Sequence, residues 1–102
     1  MTLMITKQFT PKRTACKVTF TVPADWAQTD VALVGDFNGW DPQANKLAKK
    51  NGAWETTIRL EPGTETRFRY YIDEGNWAND DAADAYVANE YGSDDSLLRV
   101  DA

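Results

Sequence analysis

The feature that most constrains this chain is an alternation of apolar and polar residues with a period of two, repeated between turn signals. Cys16, Val18, Phe20 and Val22 alternate with Lys17, Thr19 and Thr21, and Pro23 closes the run. Successive side chains of an extended strand point to opposite faces, so this pattern buries one face and wets the other. Val31 and Leu33 begin a second strand, which ends where Gly35-Asp36-Phe37-Asn38-Gly39 turns the chain. Trp54, Thr56, Ile58 and Leu60 alternate with Glu55, Thr57 and Arg59, between the turn signals Asn51-Gly52 and Pro62-Gly63. Phe68, Tyr70 and Ile72 alternate with Arg67, Arg69 and Tyr71, stopping at Asp73-Glu74-Gly75-Asn76, and a last short strand is expected from Leu97 to Val100. Asp80 to Tyr91 holds four alanines but has no helical stripe, and reads as a loop with a short strand near Tyr86-Val87-Ala88. Short strands at near-regular spacing predict an all-β fold, an immunoglobulin-like antiparallel β-sandwich. Residues 1–13 are expected as an N-terminal arm and 14–102 as one domain.

Composition narrows what such a sandwich can do. At 102 residues there is a modest single core and little room for a deep active-site cavity. The net charge of −5, from 16 acids and 11 bases, argues against a nucleic-acid partner, which requires a basic surface. The single cysteine, Cys16, permits neither an intrachain disulfide nor a cysteine-based zinc site. The absence of histidine removes the commonest general base and every Ser-His or Cys-His arrangement. The opening residues carry no basic head followed by a long apolar run, and no later stretch reaches membrane-spanning length. The expectation is therefore a cytoplasmic protein without a membrane partner.

Function turns on which of the four tryptophans the core does not need. Trp54 lies in phase with Ile58 and Leu60 and is expected inside. Trp26 follows Pro23-Ala24-Asp25 and is expected to plug one end of the sandwich. Trp40 and Trp77 instead sit among turn residues, in Phe37-Asn38-Gly39-Trp40-Asp41-Pro42 and in Glu74-Gly75-Asn76-Trp77-Ala78-Asn79. A tryptophan on a turn leaves a large apolar face in water. Two of them together would make a flat surface on which a pyranose ring stacks, with hydroxyl partners available from Lys46, Lys49, Arg69, Asn76, Ser93 and Asp95. From the residues alone, an end-capping role for both is equally consistent.

The run Val31-Ala32-Leu33-Val34-Gly35-Asp36-Phe37-Asn38-Gly39-Trp40-Asp41-Pro42 resembles the signature of family 48 carbohydrate-binding modules. That family includes the glycogen-binding domain of the AMP-activated protein kinase β subunit and the N-terminal early-set domains of branching enzymes and isoamylases. Further matches follow in order: Gly52-Ala53-Trp54, Ile58-Arg59-Leu60, Pro62-Gly63 and Phe68-Arg69-Tyr70-Tyr71-Ile72-Asp73. After these come Asn76-Trp77, Asn79-Asp80, Asn89-Glu90-Tyr91-Gly92 and Ser96-Leu97-Leu98-Arg99-Val100. The resemblance implies a non-catalytic module that binds an α-1,4-glucan of the glycogen or starch type and needs no cofactor. It also implies that Trp40 and Trp77 stack on glucose rings, and that Arg69 stands where binders carry a hydroxyl-bonding lysine. Tyr91 matches an apolar loop contact, Ser93 a small hydroxyl, and Asp95 a position usually held by asparagine, while Asn76 precedes the second stacking ring.

Three other readings compete. A glycoside hydrolase needs two acids across a cleft, whereas Asp80, Asp81, Asp84, Asp94 and Asp95 lie among Ala, Gly and Ser and read as a solvated face. The same acids offer oxygen ligands to calcium, but not in EF-hand order. The third reading is a sugar-inactive early-set domain that docks on a glucan-processing enzyme, with Trp40 and Trp77 as protein anchors.

Overall fold

A computed structural model describes residues 3–50 and 52–100. Two antiparallel sheets pack face to face. The first contains β1 (Met4–Phe9), β2 (Cys16–Pro23), β4 (Ala48–Lys50) and β5 (Ala53–Leu60), in the order β1-β2-β5-β4. The second contains β3 (Val31–Gly35), β6 (Glu65–Ile72), β8 (Ala85–Ala88) and β9 (Asp94–Arg99), in the order β3-β6-β9-β8. A short strand, β7 (Asn76–Ala78), also pairs with β6. The expected sandwich is thus present.

The core follows the alternation. Cys16, Val18, Phe20 and Val22 of β2 are fully buried, as are Phe68 and Tyr70 of β6, which meet them from the facing sheet. Phe20 and Phe68 close the gap between sheets edge to face at 5.2 Å. Burying one such ring contributes about 1.5–3 kcal/mol, so this contact helps hold the sheets together. Trp54 is 8% exposed and belongs to the core, as its phase predicts. Trp26 ends a single turn of 3-10 helix (Ala24–Trp26) and packs edge to face on Tyr70 at 6.2 Å, in the plugging role expected of it.

The chain forms more strand than the pattern announces. Met4–Phe9, within the stretch expected as an arm, pairs along its whole length with β2. It lies at a sheet edge and four of its six residues are exposed, so its apolar residues do not alternate cleanly. β4 and β7 are three residues each, too short for a period to register. β9 begins at Asp94 rather than Leu97, because Asp94, Asp95 and Ser96 pair with Ala88, Val87 and Tyr86. Of the expected Asn51-Gly52 turn, Gly52 takes the left-handed φ of 77° that favours glycine, while Asn51 lies outside the described residues.

Candidate functional site

The site is built on the outer face of the second sheet, around β6. Inward residues of β6 fill the core, so Arg67, Arg69 and Tyr71 point outward. Register then brings other elements to them: Tyr71 lies opposite Trp77 of β7, and Arg67 lies opposite Leu97 of β9.

Gly35, Asp36, Asn38, Gly39 and Trp40 each help to fix the Gly35–Trp40 turn. A Cβ on Gly35 would stand 2.3 Å from the Arg67 carbonyl and 2.7 Å from the Phe37 ring, so only glycine lets β3 approach β6 there. Asn38 accepts the Gly35 N–H at 3.0 Å and donates to the Leu33 carbonyl and the Asn45 side chain, at 2.9 and 2.8 Å. Gly39 and Trp40 both take left-handed conformations, φ 68° and 59°. That conformation is rare for a bulky residue and costs about 1–2 kcal/mol at Trp40. It persists because the Trp40 N–H reaches the Gly35 carbonyl at 2.9 Å and the indole N–H reaches Asp36 Oδ1 at 2.9 Å. Asp36 Oδ2 meanwhile accepts the backbone N–H of Arg67 at 3.0 Å, tying the turn to β6.

The second ring is held differently. The tight β6–β7 hairpin passes through Asp73 and Glu74, both with positive φ. The Asp73 carboxylate accepts the N–H groups of Thr29, Gln28 and Asp30, at 2.7–3.1 Å. Those bonds, with Thr29 foremost, hold its carboxyl below the usual range. Beyond the hairpin Trp77 is 46% exposed, its ring 4.7 Å from that of Tyr71 at a 39° tilt. The Arg69 guanidinium carbon lies 5.8 Å from the Trp77 ring centroid.

A third wall comes from the loop between β8 and β9. Asn89 accepts the N–H groups of Tyr91 and Ser93 and donates to Ser93 Oγ and to Asp95 Oδ1, the last at 3.1 Å. This leaves Tyr91 85% exposed. Trp40, Trp77 and Tyr91 enclose an open groove of about 730 Å³, whose polar lining is Asp36, Arg67, Arg69, Asn89, Glu90 and Asp95.

The structure therefore brings together five of the residues singled out in the sequence: Trp40, Arg69, Trp77, Tyr91 and Asp95. Asn76 is exposed on β7 and Ser93 bonds to Asn89, but neither lines the groove. Lys46 pairs with Asp30 at 3.4 Å, and Lys49 lies on the first sheet near Trp54. Sequence reasoning passed over Asp36, Arg67, Asn89 and Glu90. The Gly-Asp-Phe-Asn-Gly-Trp motif contained the signal for Asp36, and the outward phase of Arg69 contained it for Arg67.

The acids do not form a cluster. Asp80 is fully buried, accepting from the Tyr70 hydroxyl at 2.6 Å and the Ala82 N–H at 2.8 Å. Burial lifts its carboxyl above the usual range and, with the Asp80 charge, lifts the Tyr70 hydroxyl well above its own. At Asp84 burial works in the same upward direction, but the Arg99 N–H and Lys7, each at 2.8 Å, outweigh it and its carboxyl falls below the usual range. Asp95 is 5% exposed and bonded to Asn89, whereas Asp81 and Asp94 are solvated. Among the described residues no group of three His, Cys, Asp or Glu side chains is placed to hold a metal ion. Nor, among them, is any helix long and apolar enough to cross a membrane.

A β-sandwich whose sheet face carries three aromatic rings around an open, two-arginine groove has the architecture of a surface-binding module. The sequence pattern of the glycogen recognition site of AMP-activated protein kinase matches residues 18–102, and the chain belongs to that family. Shorter stretches are similar to 1,4-alpha-glucan branching enzymes. The Xanthomonas campestris GlgB 2 is 44% identical over 57 residues, covering 54% of this chain and 7% of the enzyme. The Emericella nidulans enzyme is 44% identical over 43 residues, covering 39% of the chain and 6% of the enzyme. The Aquifex aeolicus GlgB is 34% identical over 53 residues, covering 49% and 8%. The matched stretches thus span less than a tenth of the length of these relatives.

Proposed function

We propose that this chain is a non-catalytic module that binds α-1,4-glucans of the glycogen or starch type in the groove on the second sheet. The observation that carries the reading is that Trp40 and Trp77, 37 positions apart in sequence, line one open groove with Tyr91 between polar groups. Aromatic faces take the C–H faces of pyranose rings, and the polar lining takes hydroxyls at the ring rim. Arg69 lines the same groove, and its guanidinium lies over the Trp77 ring at 5.8 Å, where its charge and donors face the space a sugar would occupy.

Family membership supports the same ligand. The similarity to segments of much longer branching enzymes supports a second element of the proposal, that the module acts alongside a glucan-processing enzyme. Two or three rings and a few exposed hydrogen bonds give a weak single contact, which a polymer with many chain ends strengthens by multivalency.

Isothermal titration with maltoheptaose and β-cyclodextrin tests the reading, with a cello-oligosaccharide as control. Heat from the α-linked ligands accompanied by tryptophan quenching is expected, with none from the β-linked chain. Equal responses to both linkages, or none to either, would remove the α-glucan reading and leave the protein-docking one.

A further inference from the structure

Arg67 stands one step along β6 from Arg69, on the same outward face, beside the turn that carries Trp40. Its backbone is fixed by the carboxylate that also fixes the Trp40 indole, so the strand and the first ring share one anchor. Its guanidinium Nη1 lies 3.8 Å from Asp95 Oδ2. The two side chains differ sharply in exposure, 41% for Arg67 and 7% for Asp95. That separation makes an ion pair but is too long for a hydrogen bond. The other Asp95 oxygen is already bonded to Asn89.

Two consequences follow. The Asp95 carboxylate is committed to the protein, and an ionised carboxylate has no proton to offer a sugar. Its second oxygen instead faces the Arg67 guanidinium, and both residues line the groove. Among the described residues no acceptor takes a hydrogen bond from that guanidinium, so its five N–H groups are unengaged where the groove opens. A planar fork of donors fits two adjacent oxygens, and the 2,3-diol of a glucose unit presents two such oxygens.

We propose that Arg67 is a sugar-binding residue of the groove, its guanidinium donating to the vicinal hydroxyls of one glucose unit, and that Asp95 is its positioning residue. This rests on the glucan reading above. The pair replaces a neutral donor beneath the loop with a charged one reaching from β6.

Removing Arg67 alone strands a buried carboxylate, so the test compares wild type with Asp95→Asn, which removes the positioning charge, and with the double variant Arg67→Gln/Asp95→Asn, which removes both partners. Both variants lack the buried charge, and equal melting temperatures are expected of them. In titrations with maltoheptaose the double variant should bind about ten-fold more weakly than wild type, the loss of a charge-assisted hydrogen bond, and Asp95→Asn should fall between the two because its Arg67 is present but no longer held. A double variant that binds as tightly as wild type would overturn the Arg67 assignment and leave it as a counter-ion only, and an Asp95→Asn variant that does so would overturn the positioning role of Asp95. Wild-type protein that gives no heat with maltoheptaose would overturn the glucan reading itself, and that outcome is distinct from undiminished binding by a variant.

Discussion

The two outer faces of the sandwich arise from the same alternation but differ in what they leave unmet. On the first sheet Thr6, Thr19 and Thr57 lie in one row across three strands, flanked by Lys17 and Arg59. The Thr19 and Thr57 hydroxyls bond to each other at 2.9 Å, and the long cations extend into solvent. On the second sheet the corresponding positions are Arg67, Arg69 and Tyr71, joined by Trp77, Trp40 and Tyr91. There Trp77 and Tyr91 are exposed with Trp40 half-buried beside them, and among the described residues no acceptor takes a hydrogen bond from the Arg67 guanidinium or from Arg69 Nε. Both faces are polar in composition. What sets the second apart is that its rings gather around one groove and that, among the described residues, it holds the buried polar atom without a hydrogen-bond partner, Arg69 Nε, and this imbalance is what supports the proposed binding face.

The sharpest way to break the comparison is to remove one ring and one threonine in parallel. Trp77→Ala deletes a half-exposed side chain that the core does not use. Affinity for maltoheptaose should fall by about 30-fold or more, the range of an aromatic hot spot. Thr57→Ala on the opposite face should leave affinity unchanged and alter stability by about 1 kcal/mol or less. Titration and thermal melts of the two variants decide it. A Thr57→Ala variant that binds as poorly as Trp77→Ala would place the ligand elsewhere.

A pair of glycines sharpens the same contrast at the level of stability. Gly35 sits where the Trp40 turn leaves β3 and has extended backbone, so alanine fails there by collision with the Arg67 carbonyl and Phe37. Gly52, just before β5 of the first sheet, has φ 77° and open space around a Cβ, so alanine fails there by conformation alone. Gly35→Ala should cost about 2–3 kcal/mol, as overpacking does, and weaken sugar binding by displacing Asp36 from β6. Gly52→Ala should cost about 1 kcal/mol and leave binding intact. Chemical denaturation together with titration separates the two.

Much of this was legible in the residues. The inward phase of Phe20, Ile58, Phe68 and Tyr70 follows from strand geometry, and the turn context of Trp40 and Trp77 distinguished them from Trp54 and Trp26. Pairing distant segments was beyond a pattern read along the chain. Nothing local places Asn89 beneath Asp95 or turns Ser93 toward Asn89, because those contacts depend on how the loop between β8 and β9 folds back. The resemblance marks Asp95 as a sugar-binding position usually held by asparagine, but its burial and its pairing with Arg67 require the register of β6 on β9. Lys46 and Lys49 have the chemistry to bond hydroxyls, but topology directs them away from the groove. Three-residue strands such as β7 escape because they hold too few residues to show a period.

The smallest effect concerns how the face is anchored. Asp73 joins the Trp77 hairpin to the Gln28–Asp30 segment through backbone N–H groups, which favour its charged form. A carboxyl lowered in the folded state contributes stability that is present above its ordinary value of 3.8 and is lost as pH falls through the folded-state value. Asp84 acts with the same sign, whereas Asp80, raised by burial, contributes in the opposite direction. Both are present in wild type and in Asp73→Asn, so the difference between the two melting curves isolates Asp73. Asparagine tolerates the positive φ at this position, which leaves the lost charge as the main change. The variant should melt below wild type at pH 7, and the gap should close as pH falls below about 4. A gap that persists in acid would mean that Asp73 holds the hairpin by its shape and not by its charge.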